Sequence, residues 1–183
     1  MAADSDADLP VIQTQRLLLI PFRIDDADEL LRLFRDADVR QYLLDDQLVD
    51  RAWVDQEIDT SRRRFGDDSI GIWSIRQLDA SDAANESTPI IGFTGFRPFF
   101  DPPELQLIYG LLSSAWGTGF ATEAARAAIA FGFEQVELDT VVAATDQPNV
   151  ASLAVMKRLG MEPDRVTDDE DQGTVFYRLD RNR

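Results

Sequence analysis

Between Ser114 and Ala124 the chain reads Ser-Ala-Trp-Gly-Thr-Gly-Phe-Ala-Thr-Glu-Ala, a turn with glycines at 117 and 119 that runs straight into good helix formers. Upstream, Leu105 to Leu112 is a run of branched and aromatic residues suited to a strand. Downstream, Ala121 to Phe133 is alanine-rich and free of proline, which suits a helix. A strand, a tight turn and a helix start in succession gather unpaired backbone N–H groups around one point, and such a point attracts anions. Glycine at 117 and 119 permits close approach of a ligand and any positive φ. A dinucleotide is the main rival ligand for a Gly-x-Gly turn, but Ala121-Thr122-Glu123 stands where the fingerprint needs a third glycine. A nucleotide triphosphate fits less well still, because no lysine with a serine or threonine follows the turn as in a P-loop.

The residues missing from the chain narrow its chemistry. With no cysteine and no histidine there is no disulfide framework, no thiolate or imidazole metal site, and no Ser-His-Asp or Cys-His nucleophile. Proton transfer falls to carboxylates, tyrosine, serine or water. A formal charge of -16 leaves no basic stripe for nucleic acid and makes a cationic partner the easier electrostatic fit. Lys157 is the only lysine, so the acidity reads either as a solvated surface or as salt adaptation. No apolar run approaches the roughly 20 residues of a membrane span. The start, Met1 to Asp8, is acidic where a secretory signal is basic. A soluble cytoplasmic protein is expected, with 1–9 a disordered acidic tail and 10–183 a single domain.

Along the chain, Arg16 to Arg23 reads as a first strand, stopped or put on a sheet edge by Pro21. Asp25 or Asp26 can cap a helix whose Leu30, Leu31, Leu33 and Phe34 fall at near-helical spacing, and Arg51 to Phe65 reads as a second helical segment. Ile70 to Leu78 and Ile90 to Phe99 read as an antiparallel pair. The small, polar stretch between them, Asp79 to Pro89, is either a surface insertion or a lid. Beyond the glycine turn and its helix, Asp139 to Thr145 is a strand, Val150 to Leu159 a helix ended by Gly160, and Thr174 to Leu179 a last strand after the acidic run Asp168 to Gly173.

Two segments, Trp116 to Ala124 and Asn149 to Glu162, stand in strand-helix-strand-helix order. Together they resemble the GNAT superfamily of N-acetyltransferases, and within it the branch named for the RimJ and RimL ribosomal-protein acetyltransferases. The W-G-x-G-[aromatic]-A-T-E-A signature is matched from Trp116 to Ala124. The family's asparagine-serine-glycine pattern is met by Asn149, Ser152, Met156 and Gly160 with one small spacing adjustment. Gln15 to Leu19 and Pro21-Phe22 resemble its first strand. The resemblance covers Arg16 to the C-terminus. It implies an α/β fold with a mixed, mostly antiparallel, splayed sheet flanked by helices, and direct transfer of acetyl from acetyl-CoA to a primary amine with no metal. The amine would be a protein N-terminal α-amine or a small amine, cationic if the net charge is a guide, and a homodimer is compatible with the family.

Carried over residue by residue, the resemblance makes Trp116, Gly117, Thr118, Gly119, Phe120, Ala121 and Thr122 the pyrophosphate loop. Backbone groups of Leu111, Leu112 and Ser113 would pair with the pantetheine arm, one N–H serving as oxyanion donor. The side chains of Leu111 and Leu112 read as core. Asn149 is a cofactor contact or a helix cap. Ser152 is a proton donor to the leaving thiolate or a plain helix-start serine, and Tyr177 is a second donor or a cross-strand aromatic. The family's strand motif E-[hydrophobic]-G-Y meets Gln106 where its glutamate stands, and Gln106 cannot accept a proton at neutral pH. Glu104, two residues earlier on the same face, is either the base, directly or through water, or an exposed strand-start carboxylate. Thr118 replaces a basic residue found between the glycines in relatives, which weakens the electrostatic hold on CoA. Glu123 stabilises its helix start. A CoA-binding regulatory module with little or no turnover is the alternative that Gln106 motivates.

Overall fold

The computed structural model describes residues 9–44, 46–78, 88–100, 102–167 and 173–181. Its strands are β1 (Ile12–Gln13), β2 (Leu17–Pro21), β3 (Ile72–Gln77), β4 (Ile90–Phe99), β5 (Glu104–Leu111), β6 (Thr140–Asp146), β7 (Glu162–Thr167) and β8 (Thr174–Asp180). Its helices are α1 (Ala27–Arg35), α2 (Ala37–Leu43), α3 (Arg51–Asp68), α4 (Phe120–Glu134) and α5 (Val150–Arg158). The strands form one 8-stranded sheet in the order β1-β2-β3-β4-β5-β6-β8-β7, antiparallel except between β5 and β6. This is the mixed, mostly antiparallel α/β architecture expected. The acidic segments 1–8 and 168–172 and the stretch 79–87 lie outside the described residues. Leu9, placed at the end of the expected tail, packs against the core. Among the described residues no helix is long and apolar enough to cross a membrane.

Helices cover both faces of the sheet. One core cluster joins Leu17, Leu19, Trp73, Leu107 and Val141 to α4 and α5, and the other joins Phe22, Ile72 and Phe93 to α1 and α3. Leu17 to Ile20 is therefore apolar without alternation, because both faces of β2 are dry. Pro21 ends β2 beyond the reach of β1, whose residues stop opposite Leu18 and Leu19, so the missing N–H costs no ladder bond. In α1, Leu30, Leu33 and Phe34 are buried at the spacing of one helix face.

Three local readings change in the fold. Asp26 does not cap α1 with its side chain. Instead its carboxylate meets the guanidinium of Arg76, Oδ1 to Nη2 at 2.6 Å, and Arg76 is only 3% exposed. Burial, opposed by Arg76, pushes the Asp26 carboxyl above its ordinary range. Arg76 also donates to the Thr88 carbonyl and faces Glu29 at 3.9 Å. The strands β1 and β7 were not legible: β1 is a two-residue edge, and Glu162-Pro163-Asp164-Arg165 forms β7 only because β8 pairs with it.

Candidate active site

The glycine turn connects β5 to α4 through a short 3-10 turn at Ser113–Ala115. Gly117 and Gly119 adopt φ of 74° and 84°, the left-handed region in which only glycine is unstrained. Among the described residues the N–H groups of Gly117, Thr118, Gly119, Ala121 and Thr122 find no acceptor. They converge where the α4 dipole is positive. Thr118 turns its hydroxyl inward to the Ala115 carbonyl at 2.7 Å, bracing the loop. The Trp116 indole N–H bonds the Leu111 carbonyl at 2.9 Å and ties the loop to β5, while Phe120 buries its ring under the guanidinium of Arg16 at 4.6 Å.

Glu123 anchors this loop to the first strands. Its Oε1 accepts from the Thr14 hydroxyl (2.7 Å) and the Arg16 N–H (3.0 Å), and its Oε2 takes the Arg16 guanidinium at 2.6 Å. Arg16 Nη1 donates onward to the Thr118 carbonyl at 3.0 Å. A cation thus stands beside the loop although Thr118 carries none. Burial alone would raise the Glu123 carboxyl, but the bonds from Thr14 and Arg16 prevail and hold it below the ordinary 4.5. A lowered folded value contributes stability above 4.5 that is lost as the pH falls through it. E123Q is expected to flatten that acid limb in urea midpoints followed from neutral to acid pH; an acid limb identical to wild type would refute the anchor.

Strands β5 and β6 register at a single parallel pair, Gln106 opposite Val142, and diverge beyond it. The Leu112 N–H bonds the Ile91 carbonyl at 2.9 Å. By strand alternation the N–H groups of Tyr109 and Leu111 turn to the other edge, into the fork that β6 leaves open. Of the three backbone positions expected there, Leu111 directs an N–H at the fork. Leu112 spends its N–H on Ile91 and its carbonyl on Ala115, and the Ser113 carbonyl takes the Trp116 N–H.

Helix α5 closes the fork from the α4 face. Asn149 is its N-cap, Oδ1 accepting from the Ser152 N–H at 3.1 Å. The Ser152 hydroxyl lies 2.9 Å from the hydroxyl of Tyr109 on β5. Burial pushes the Tyr109 phenol up to about 12, against the lowering effect of Ser152, so it stays protonated at neutral pH. Sequence reasoning missed Tyr109, although the strand motif that placed Gln106 ends on it. Tyr177 is buried in the core cluster of this face, on β8 between Ala143 and Pro163.

On the opposite face Gln106, 4% exposed, donates from Nε2 to Glu104 Oε2 at 3.1 Å. The same oxygen holds Arg165 Nη2 at 2.5 Å, and Arg165 lies over the Phe176 ring at 3.9 Å. Glu104 is thus not a loose strand-start carboxylate, and its Oε1 has no partner among the described residues. Arg97, paired with Gln106 across β4 and β5, reaches Glu57 of α3 at 3.2 Å. Glu104 and Gln106 face one side of the fork and Tyr109 and Ser152 the other.

The family model of the acetyltransferase (GNAT) domain matches residues 16–162. The uncharacterized N-acetyltransferase p20 of Bacillus licheniformis is 26% identical over 162 residues, 84% of this chain and 83% of its own. An acetyltransferase structure from Agrobacterium tumefaciens shares the fold with a TM-score of 0.76 at 24% identity, covering 94% of this chain and 95% of the other. RimL, a ribosomal L7/L12 alpha-N-protein acetyltransferase in complex with coenzyme A, does so with a TM-score of 0.76 at 14% identity, covering 93% and 98%. With the loop of free N–H groups, the forked sheet and the family model in agreement, the chain belongs to the GNAT acetyltransferase family.

Proposed function

We propose that this protein moves acetyl from acetyl-CoA directly to a primary amine, in the manner of the RimJ/RimL branch. The observation that carries this reading is the set of N–H groups of Gly117, Thr118, Gly119, Ala121 and Thr122, unpaired among the described residues, beside an open β5–β6 fork. Those N–H groups would hold the pyrophosphate, with Trp116 and Phe120 fixing the loop's shape. Acetyl-CoA, when bound, supplies an acyl group activated as a thioester. The Leu111 N–H, turned into the fork, would donate to the carbonyl oxygen as it gains negative charge.

Ser152 donates its hydroxyl proton to the departing sulfur and takes one back from water, while Tyr109, kept protonated by burial, holds the Ser152 hydroxyl in place by hydrogen bonding. Asn149 orients this pair by capping α5. Tyr177 stands behind it as a core aromatic. Gln106 takes no proton and holds Glu104 in place, while Glu104 Oε1 accepts the amine's proton through water. An α-amine, with a pKa of about 8, needs little help to lose it.

S152A is expected to lower kcat about 100-fold, the ordinary contribution of a positioned acid. The affinity for CoA, read by calorimetry, should hold. An unchanged kcat would remove Ser152 from this role. The reaction itself is tested by following free thiol released from acetyl-CoA with N-terminal peptides, amino acids and polyamines. Gln106 supports a second reading, a CoA-binding module, which tight CoA binding without thiol release across that panel would favour.

A further inference from the structure

Acids outnumber bases 34 to 18 in this chain, and the ligand of the proposed function is itself a polyanion. From Ser113 to Thr122 the loop offers N–H dipoles but no basic side chain. Thr118, between the glycines, turns its hydroxyl inward to the Ala115 carbonyl. A guanidinium reaches the loop from elsewhere in the chain, from the bend just before β2. Arg16 Nη1 donates to the Thr118 carbonyl at 3.0 Å, and its Cζ lies 4.6 Å over the Phe120 ring. Its Nη2 stands 3.5 Å from the point where a Cβ on Gly119 would be. Gly119 carries one of the free N–H groups, so Nη2 borders the cradle.

Arg16 is held in place before any ligand arrives. Its N–H bonds Glu123 Oε1 at 3.0 Å, and its carbonyl accepts from the Leu78 N–H at 2.9 Å. A guanidinium has five N–H bonds. Three are engaged: Nε donates to Glu123 Oε2 at 2.7 Å, Nη2 pairs with the same oxygen at 2.6 Å, and Nη1 serves Thr118. One N–H on Nη1 and one on Nη2 have no acceptor among the described residues, and the side chain is 45% exposed.

We propose that Arg16 binds the pyrophosphate of CoA directly, its two spare N–H bonds and the N–H groups of the loop enclosing the diphosphate from two sides. The inference rests on the cofactor half of the acetyl-transfer reading. A guanidinium can hold a carboxylate along one edge and a phosphate along another, which the point charge of a lysine cannot. Because Glu123, Thr118 and Phe120 already fix the group, little side-chain freedom is lost on binding. CoA offers the same chemistry from a second source, the 3′-phosphate of its ribose. The tie to Thr118, in the middle of the loop, favours the pyrophosphate.

The test measures dissociation constants by calorimetry, over a range of salt, for CoA and for dephospho-CoA, which lacks the 3′-phosphate. R16Q is expected to weaken both by about tenfold or more, the loss of one charge-assisted contact, and to flatten their salt dependence. R16K keeps an ion pair with Glu123, and with it the fold, yet should still lose affinity for both ligands, by less than R16Q. E123Q separates direct contact from loop bracing. With Arg16 still on Thr118 and Phe120, it should cost much less affinity than R16Q and retain the salt dependence. Wild-type affinity in R16Q or R16K would overturn the inference. A loss confined to CoA would do so too, by moving Arg16 to the 3′-phosphate. E123Q as weak as R16Q, with the same flattened salt dependence, would leave Arg16 acting only through the loop's anchor and refute the contact. CoA bound by the wild-type protein with no thiol release would sink acetyl transfer alone, whereas no CoA binding at all would sink both.

Discussion

Replacing Gly119 with valine is expected to weaken CoA binding at least 100-fold, about 2.8 kcal/mol. Two effects act together. At φ 84° a β-branched residue is strained by about 1–3 kcal/mol, and the loop would relax by turning its N–H groups away from their common point. The added methyls also enter the space a pyrophosphate needs, because among the described residues the only atom within 4 Å of a Cβ at this position is Arg16 Nη2 at 3.5 Å. Gly160 separates binding from folding. It has nearly the same φ, 81°, at the far end of α5, with nothing among the described residues within 4 Å of a Cβ. G160V should lose similar stability in urea and keep CoA affinity by calorimetry. If G119V binds CoA as tightly as wild type, the loop is not the cradle.

The largest stability effect is expected at Arg76. R76M leaves Asp26 buried without its cation, and breaking such a pair costs about 3–5 kcal/mol, against a total that is typically about 5–15 kcal/mol. Arg76 also loses its bond to the Thr88 carbonyl. The Asp26 pKa is already raised by burial, so in R76M the carboxyl can take up a proton, and the loss should shrink as the pH falls. In D26L/R76M neither charge remains, and much of the stability should return. Urea unfolding of the three proteins at neutral pH checks this. A loss below about 1 kcal/mol in R76M would show that the pair is idle.

Elements whose cause is local were legible in the sequence. The Trp116–Ala124 turn needs positive φ at two glycines followed by a helix start, and nothing distant is required to produce it. Strand β4 was bounded at Ile90 and Phe99 by its own apolar run, and α5 by Asn149 before it and Gly160 after it. The site was legible where the atoms belong to the backbone. Partners far apart in sequence were not. Tyr109 meets Ser152 across 43 residues, and Arg16 meets Glu123 across 107. Asp26 resembled a cap because a cap needs only its neighbours, and the fold gave it to Arg76, 50 residues on.

The sequence by itself determined the family resemblance, the strand, turn and helix around the loop, and the exclusion of histidine and cysteine chemistry. These follow from short-range sterics and from which side chains exist at all. Tertiary structure alone decided that β5 and β6 part at Gln106, that Glu104 is held by Arg165, and that Arg97 reaches Glu57. Those are outcomes of pairing between distant strands and helices, and they determine which charges end up facing each other in the cleft.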